Sequence, residues 1–114
     1  MTQYHLNFHH LPIPAGVKPS AAEFEAINKQ WQKYIGGIAS QGKFVGTQRL
    51  DQAGSIIGPD GKVTNAVAEG KGLIVGTLTL KAKNLDEALE LAKGCPVLAM
   101  GGSVEVRPVI PFEV

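Results

Sequence analysis

The chain is short of cysteine, of net charge and of long apolar runs, and each shortage removes a class of protein. Cys95 is the only cysteine, so no disulfide forms within the chain, and a lone thiol fits a reducing compartment. With 11 basic and 10 acidic side chains the formal net charge is +1, which gives no electrostatic reason to expect nucleic acid or a membrane surface as partner. No apolar run approaches the roughly 18–20 residues of a membrane span. The first ten residues, MTQYHLNFHH, have no basic stretch followed by an apolar core and are not a signal peptide. On these absences a cytoplasmic protein is expected. There is no GxxxxGK[ST], GxGxxG, CxxC or HExxH pattern, so no phosphate cradle, dinucleotide site or zinc site is expected and no cofactor is called for.

What remains is a chain of 114 residues, 44% hydrophobic and 18% charged, the composition of one globular domain over residues 1–114 with enough length to bury a core unaided. Residues 3–10 alternate: Tyr4, Leu6 and Phe8 fall on one face, His5, Asn7 and His9 on the other, as in a half-buried strand. Three prolines and a glycine then force a loop. Ser20 with Glu23 forms a capping box opening a first helix. Its apolar stripe is Phe24, Ile27, Trp31, Ile35 and Ile38, with Gly36 and Gly37 allowing a close neighbour and Gly42 ending it. A second strand covers residues 43–50, and Pro59, Asp60 and Gly61 turn a hairpin. Residues 72–82 form the strongest strand, apolar enough to predict burial on both faces. Asn84 caps a second helix that Gly94 ends and Pro96 keeps from continuing. The closing segment, SVEVRPV, is the last strand. The order β-α-β-hairpin-β-α-β predicts an α+β fold with a ferredoxin-like split βαβ arrangement and an extra hairpin, both helices on one face of one sheet.

Several features resemble the YCII-related, or DGPF-domain, family. They are Trp31 and Tyr34, Gly42, Gly46 and Leu50, Glu69 and Lys71 before a strand containing Gly76, the LDEAL helix start at residues 85–89, the Cys95-Pro96 pair, and VEVRPV at residues 104–109. They span roughly two-thirds of the chain by the element reading above. The resemblance implies a ferredoxin-like subunit that pairs into a dimeric α+β barrel, the second sheet face lining an interior between subunits. Where the family has Asp-Gly-Pro-Phe this chain has Thr64, Asn65, Ala66 and Val67. The acid is gone, with the Gly and Pro that shape its turn, so any chemistry that relatives place on that Asp is not expected here, and a different site or no catalysis becomes the expectation.

Parity selects the chemistry. In a split βαβ sheet the first and last strands are antiparallel neighbours, so His5 and Asn7 meet Glu105 and Arg107. Arg49 and Asp51 share a face with Thr47 and Val45 and are expected to line the same cavity. An imidazole, a carboxylate and a guanidinium suffice for acid–base work or for holding an anionic small molecule, and histidine as a residue type titrates near neutral pH. Glu105 and Arg107, two apart, also have a simpler reading as an ion pair pinning the sheet or an interface. No metal is expected, because His5 and His9 stand about 13 Å apart along a strand. His9 and His10 are expected to face solvent, Glu69 and Lys71 to form an exposed pair at a strand entry, and Cys95 to be a packing residue whose helix C-terminal position disfavours the thiolate. The open face of the sheet is expected to be apolar and covered by a second copy. Two functions follow. One is a small-molecule-binding protein, regulatory or accessory. The other is a cofactor-free enzyme with His5 as general acid/base and Arg107 or Arg49 holding the substrate. Haem chemistry, found in other dimeric α+β barrels, is the third and has the least support.

Overall fold

A computed structural model describes residues 1–14, 16–66 and 72–112. The chain runs β1 (Thr2–His10), α1 (Ala21–Ser40), β2 (Phe44–Arg49), β3 (Ser55–Ile57), β4 (Val63–Asn65), β5 (Leu73–Ala82), α2 (Leu85–Ala92), α3 (Pro96–Ala99) and β6 (Ser103–Pro108). Four strands form one antiparallel sheet in the order β2-β5-β1-β6, and among the described residues β3 pairs only with β4. Both helical connections skip a strand: β1 and β2 lie either side of β5, and β5 and β6 either side of β1. This is the ferredoxin-like α+β arrangement the element order predicts.

The helices start where the side chains say they should. Ser20 accepts from the Glu23 N–H at 3.1 Å to cap α1. Asn84 accepts from the Glu87 N–H at 3.0 Å while Glu87 reaches back to the Lys83 N–H at 3.2 Å, a reciprocal cap. Gly42 follows α1 at φ 70° and Gly61 closes the hairpin turn at φ 82°, left-handed positions that glycine occupies without steric cost.

The core lies between the sheet and the helices. Tyr4, Leu6 and Phe8 of β1 pack with Leu78, Leu80 and Ala82 of β5, Ile38 of α1, Ala88 and Ala92 of α2, and Cys95 and Val97 around α3. Phe8 and Trp31 pack as tilted rings, centroids 5.2 Å apart and planes at 49°, and the Tyr34 hydroxyl donates to the Leu91 carbonyl at 2.8 Å, fastening α1 to α2.

Four expectations need correction. Pro96 stops α2 but also opens α3, at whose first position a proline is at home. Of the α1 stripe only Ile38 is buried; Trp31, Ile35 and Ile27 are half-buried and Phe24 is exposed, so burial falls off toward the start of the helix. Nothing lies within 4 Å of a Cβ built on Gly36 or Gly37, so neither admits a close neighbour. Finally, β5 buries one face only: Gly76, Leu78, Leu80 and Ala82 are buried, but Thr77 and Thr79 between them are half-buried.

Candidate functional site

The face of the sheet turned away from the helices is polar at its centre. Register puts His5 opposite both Thr79 and Arg107, and Thr79 in turn opposite Gly46. Two residues along, Asn7 stands opposite Thr77 and Glu105, and Thr77 opposite Gln48. Two rungs therefore cross all four strands, Gly46–Thr79–His5–Arg107 and Gln48–Thr77–Asn7–Glu105, about 6.6 Å apart along the strand direction. None of these eight positions is apolar. The expected apolar open face is thus corrected at its centre, although Ile74, opposite His9, adds one exposed aliphatic group beside it.

Within the rungs the contacts are specific. His5 Nδ1 lies 3.1 Å from the Thr79 hydroxyl, and the Asn7 amide donates to Glu105 Oε1 at 3.0 Å. Both His5 and Asn7 are half-buried, whereas Glu105 and Arg107 are exposed. Glu105 does not pair with Arg107. Two residues apart on a strand, their charges reach different neighbours, and the Arg107 guanidinium has no hydrogen bond or ion pair among the described residues. A free cation therefore stands beside an imidazole, with a carboxylate held by an amide one rung away. Gly46 adds no side chain, and no atom lies within 4 Å of where its Cβ would stand, so there is room beside Thr79. Such a surface can hold an anionic group at Arg107 and accept or donate hydrogen bonds at His5, Thr79 and Asn7.

Arg49 and Asp51 do not join it. An irregularity between Phe44 and Gly46 inserts an extra residue into β2, and one residue of slip moves every later side chain to the other face. Thr47 then pairs with Leu78 and Arg49 with Gly76, positions on the helix side, and the Thr47 hydroxyl donates to the Thr77 carbonyl at 2.8 Å. Asp51 turns back on the chain and accepts from the Ala53 N–H at 2.9 Å. Thr79, Thr77 and Gln48 escaped the sequence reading. The alternation Gly76-Thr77-Leu78-Thr79-Leu80 carried the signal for the two threonines; Gln48 needed knowledge of the bulge.

The remaining candidates fall elsewhere. His10 is not turned to solvent: its two ring nitrogens lie 2.8 Å from the Leu11 carbonyl and 2.9 Å from the Met100 carbonyl. These two acceptors raise its pKa above the usual 6.5, against a small opposing effect of burial. His9 is half-buried on the open face beyond the polar rungs. Cys95 is buried at the start of α3, and burial pushes its thiol up to about 11; burial, rather than a helix C-terminus, disfavours the thiolate. Glu69, Lys71 and Val67 lie outside the described residues. Among the described residues no group of three His, Cys, Asp or Glu side chains could hold a metal, and no helix is long and apolar enough to cross a membrane. A hollow of about 650 Å³ against the β3–β4 hairpin, lined by residues 52–55 and 63–65, shares no residue with the polar rungs.

With this geometry in place, comparison with known families is informative. The family model described as the YCII-related domain matches residues 13–113. A search of curated proteins finds no match.

Proposed function

The chain belongs to the YCII-related domain family, and from that premise we propose that it binds a small anionic organic molecule on the open face of its sheet, in a regulatory or accessory role. The Arg107 guanidinium, directly opposite His5 and without a partner among the described residues, carries this reading. A cation with no partner among the described residues, flanked by hydrogen-bonding groups whose positions are set by strand register, is a ready site for a carboxylate.

A flat face binds small molecules poorly, because pockets bury most of a ligand's surface. The second part of the proposal is that another copy of the chain covers this face, as in a dimeric α+β barrel. The accessible surface supports it: 8133 Å² for 12.0 kDa, against about 6,000 Å² for a self-sufficient monomer of that mass. The excess of roughly 2,000 Å² per chain is what an obligate interface removes. The lone buried thiol suits a cytoplasmic protein.

A screen of small aromatic carboxylates and their neutral amides by protein-observed NMR tests the ligand class. The expected result is that the carboxylates shift His5, Thr79 and Asn7, and that Arg107→Ala weakens them about tenfold, corresponding to roughly 1.4 kcal/mol. Equal binding of acids and amides, or shifts confined to the helix side, would contradict it. A second reading, general acid/base catalysis by His5, is favoured by one contact. Thr79 fixes Nδ1 while Nε2 has no partner among the described residues. Loss of turnover in His5→Gln with carboxylate binding intact would establish it over binding alone.

A further inference from the structure

The polar rungs create a difficulty for any dimer built on the open face alone. Hydrogen-bonding groups gain little on association, because they exchange water for protein partners. The apolar surface that drives association has to come from elsewhere in the chain.

Two features supply it. The β3–β4 hairpin is a separate two-stranded unit, three residues per strand, with no further strand beside it among the described residues. Such a unit is marginal in water unless something packs on it. Ile57 stands opposite Val63 on one face of it, and these two β-branched side chains are 74% and 64% exposed. The second feature is a groove of about 340 Å³ between α2, α3 and β6, lined by the apolar Leu89, Ala92, Leu98, Val104 and Val106 together with the charged Asp86, Glu90 and Lys93 of α2 and its C-terminal end. Leu89 and Leu98 are exposed there although they line a concave surface.

Topology keeps these two features apart within one chain. The hairpin leaves from β2, one edge of the sheet, while the groove flanks β6, the other edge. Three strand spacings, about 14 Å, separate the edges. One chain's hairpin thus has no access to its own groove, yet each chain carries both an apolar knob and an apolar hole. A twofold axis lets each copy fill the other's groove and closes the assembly, leaving no open repeat.

We infer that the β3–β4 hairpin is a docking arm whose Ile57–Val63 face seats in the α2–α3–β6 groove of a second copy of this chain. The excess surface of roughly 2,000 Å² per chain is that of the whole proposed interface, the covered open face and the seated arm together. The inference rests on the second-copy part of the proposed function and assigns the contact that holds it.

Sedimentation equilibrium on the full chain tests it, with Ile57→Asp/Val63→Asp for the arm, Leu98→Asp for the groove, and Leu11→Asp as an exposed apolar control outside both. The wild type is expected to dimerise, and the arm and groove variants each to raise Kd by roughly 30–100-fold, with no change in the control. A wild-type dimer unaffected by either variant overturns the arm while leaving a covered open face intact. Weakening by the arm variant alone overturns the groove as its seat. A monomeric wild type overturns both the arm and the second copy, and leaves the carboxylate screen to judge the ligand. A second measurement needs no destabilising change. Ile57→Cys carrying a nitroxide, mixed with isotope-labelled unmodified chain, should broaden the amides of Leu89 and Leu98; broadening confined to other residues contradicts the inference.

Discussion

His10 shows how much one residue's surroundings can change its chemistry. A neutral imidazole has one N–H, yet both ring nitrogens face carbonyl oxygens, so only the imidazolium satisfies both contacts. The folded state therefore holds the proton more tightly than the unfolded chain, and the Leu11 carbonyl is the larger cause. The sign follows from linkage: the stabilisation is fully present below about pH 6.5 and fades as pH rises through the higher folded value. Urea midpoints measured from pH 6 to 9 should show a decline that His10→Phe removes; an identical profile in the variant would contradict it. Sequence placed His10 in solvent because the Met100 carbonyl comes from 90 residues away, and no local pattern announces such a contact. Gly102 makes a similar long-range demand. A Cβ there would stand 2.5 Å from the His9 carbonyl oxygen and 2.7 Å from Val97 Cγ2. Gly102→Ala should cost roughly 1–3 kcal/mol or more by overpacking, read from chemical denaturation, whereas Gly46→Ala meets open space and should cost little in comparison.

At the scale of elements, the parts written in local chemistry were legible. Both long helices begin at the residues whose side chains cap them, and β1 and β6 meet in the register that brings His5 to Arg107 and Asn7 to Glu105. The illegible parts depend on one residue more or less in a strand. The extra residue in β2 sends Arg49 to the helix side, and a second irregularity between Phe8 and His9 lets Ile74 rather than Val75 face His9. Nothing in the side chains of residues 44–46 distinguishes a bulge from a regular strand. In α1, Gly36 and Gly37 have room for a methyl group on every side, so helix propensity alone should decide their replacement. Gly36→Ala and Gly37→Ala are each expected to stabilise the fold by about 0.5–1 kcal/mol, visible as a rise in denaturant midpoint. A fall would mean that a second copy packs against this stretch. Asn84→Ala should cost about 1 kcal/mol by removing the α2 cap, in the same assay.

At the scale of the whole molecule, the chain is flat and extended, 46 by 39 by 19 Å, with a radius of gyration of 15.8 Å where about 13 Å is usual for this length. The thin dimension is one sheet and one helix layer. Such a shape leaves exposed apolar side chains and a polar field at the centre of its open face, the field that the proposed second copy would enclose. The sequence reading reached the second copy from a supposed apolar sheet face. The structure moves the apolar surface to the periphery, because Thr77 and Thr79 alternate with the buried leucines of β5 and turn its other side polar. Coverage of that face can be measured directly by adding a soluble gadolinium chelate and following side-chain proton relaxation. At concentrations where the chain self-associates, His5 and Thr79 are predicted to stay sharp while exposed Phe24 broadens. Broadening of all three alike, at every concentration, would contradict a second copy on the open face.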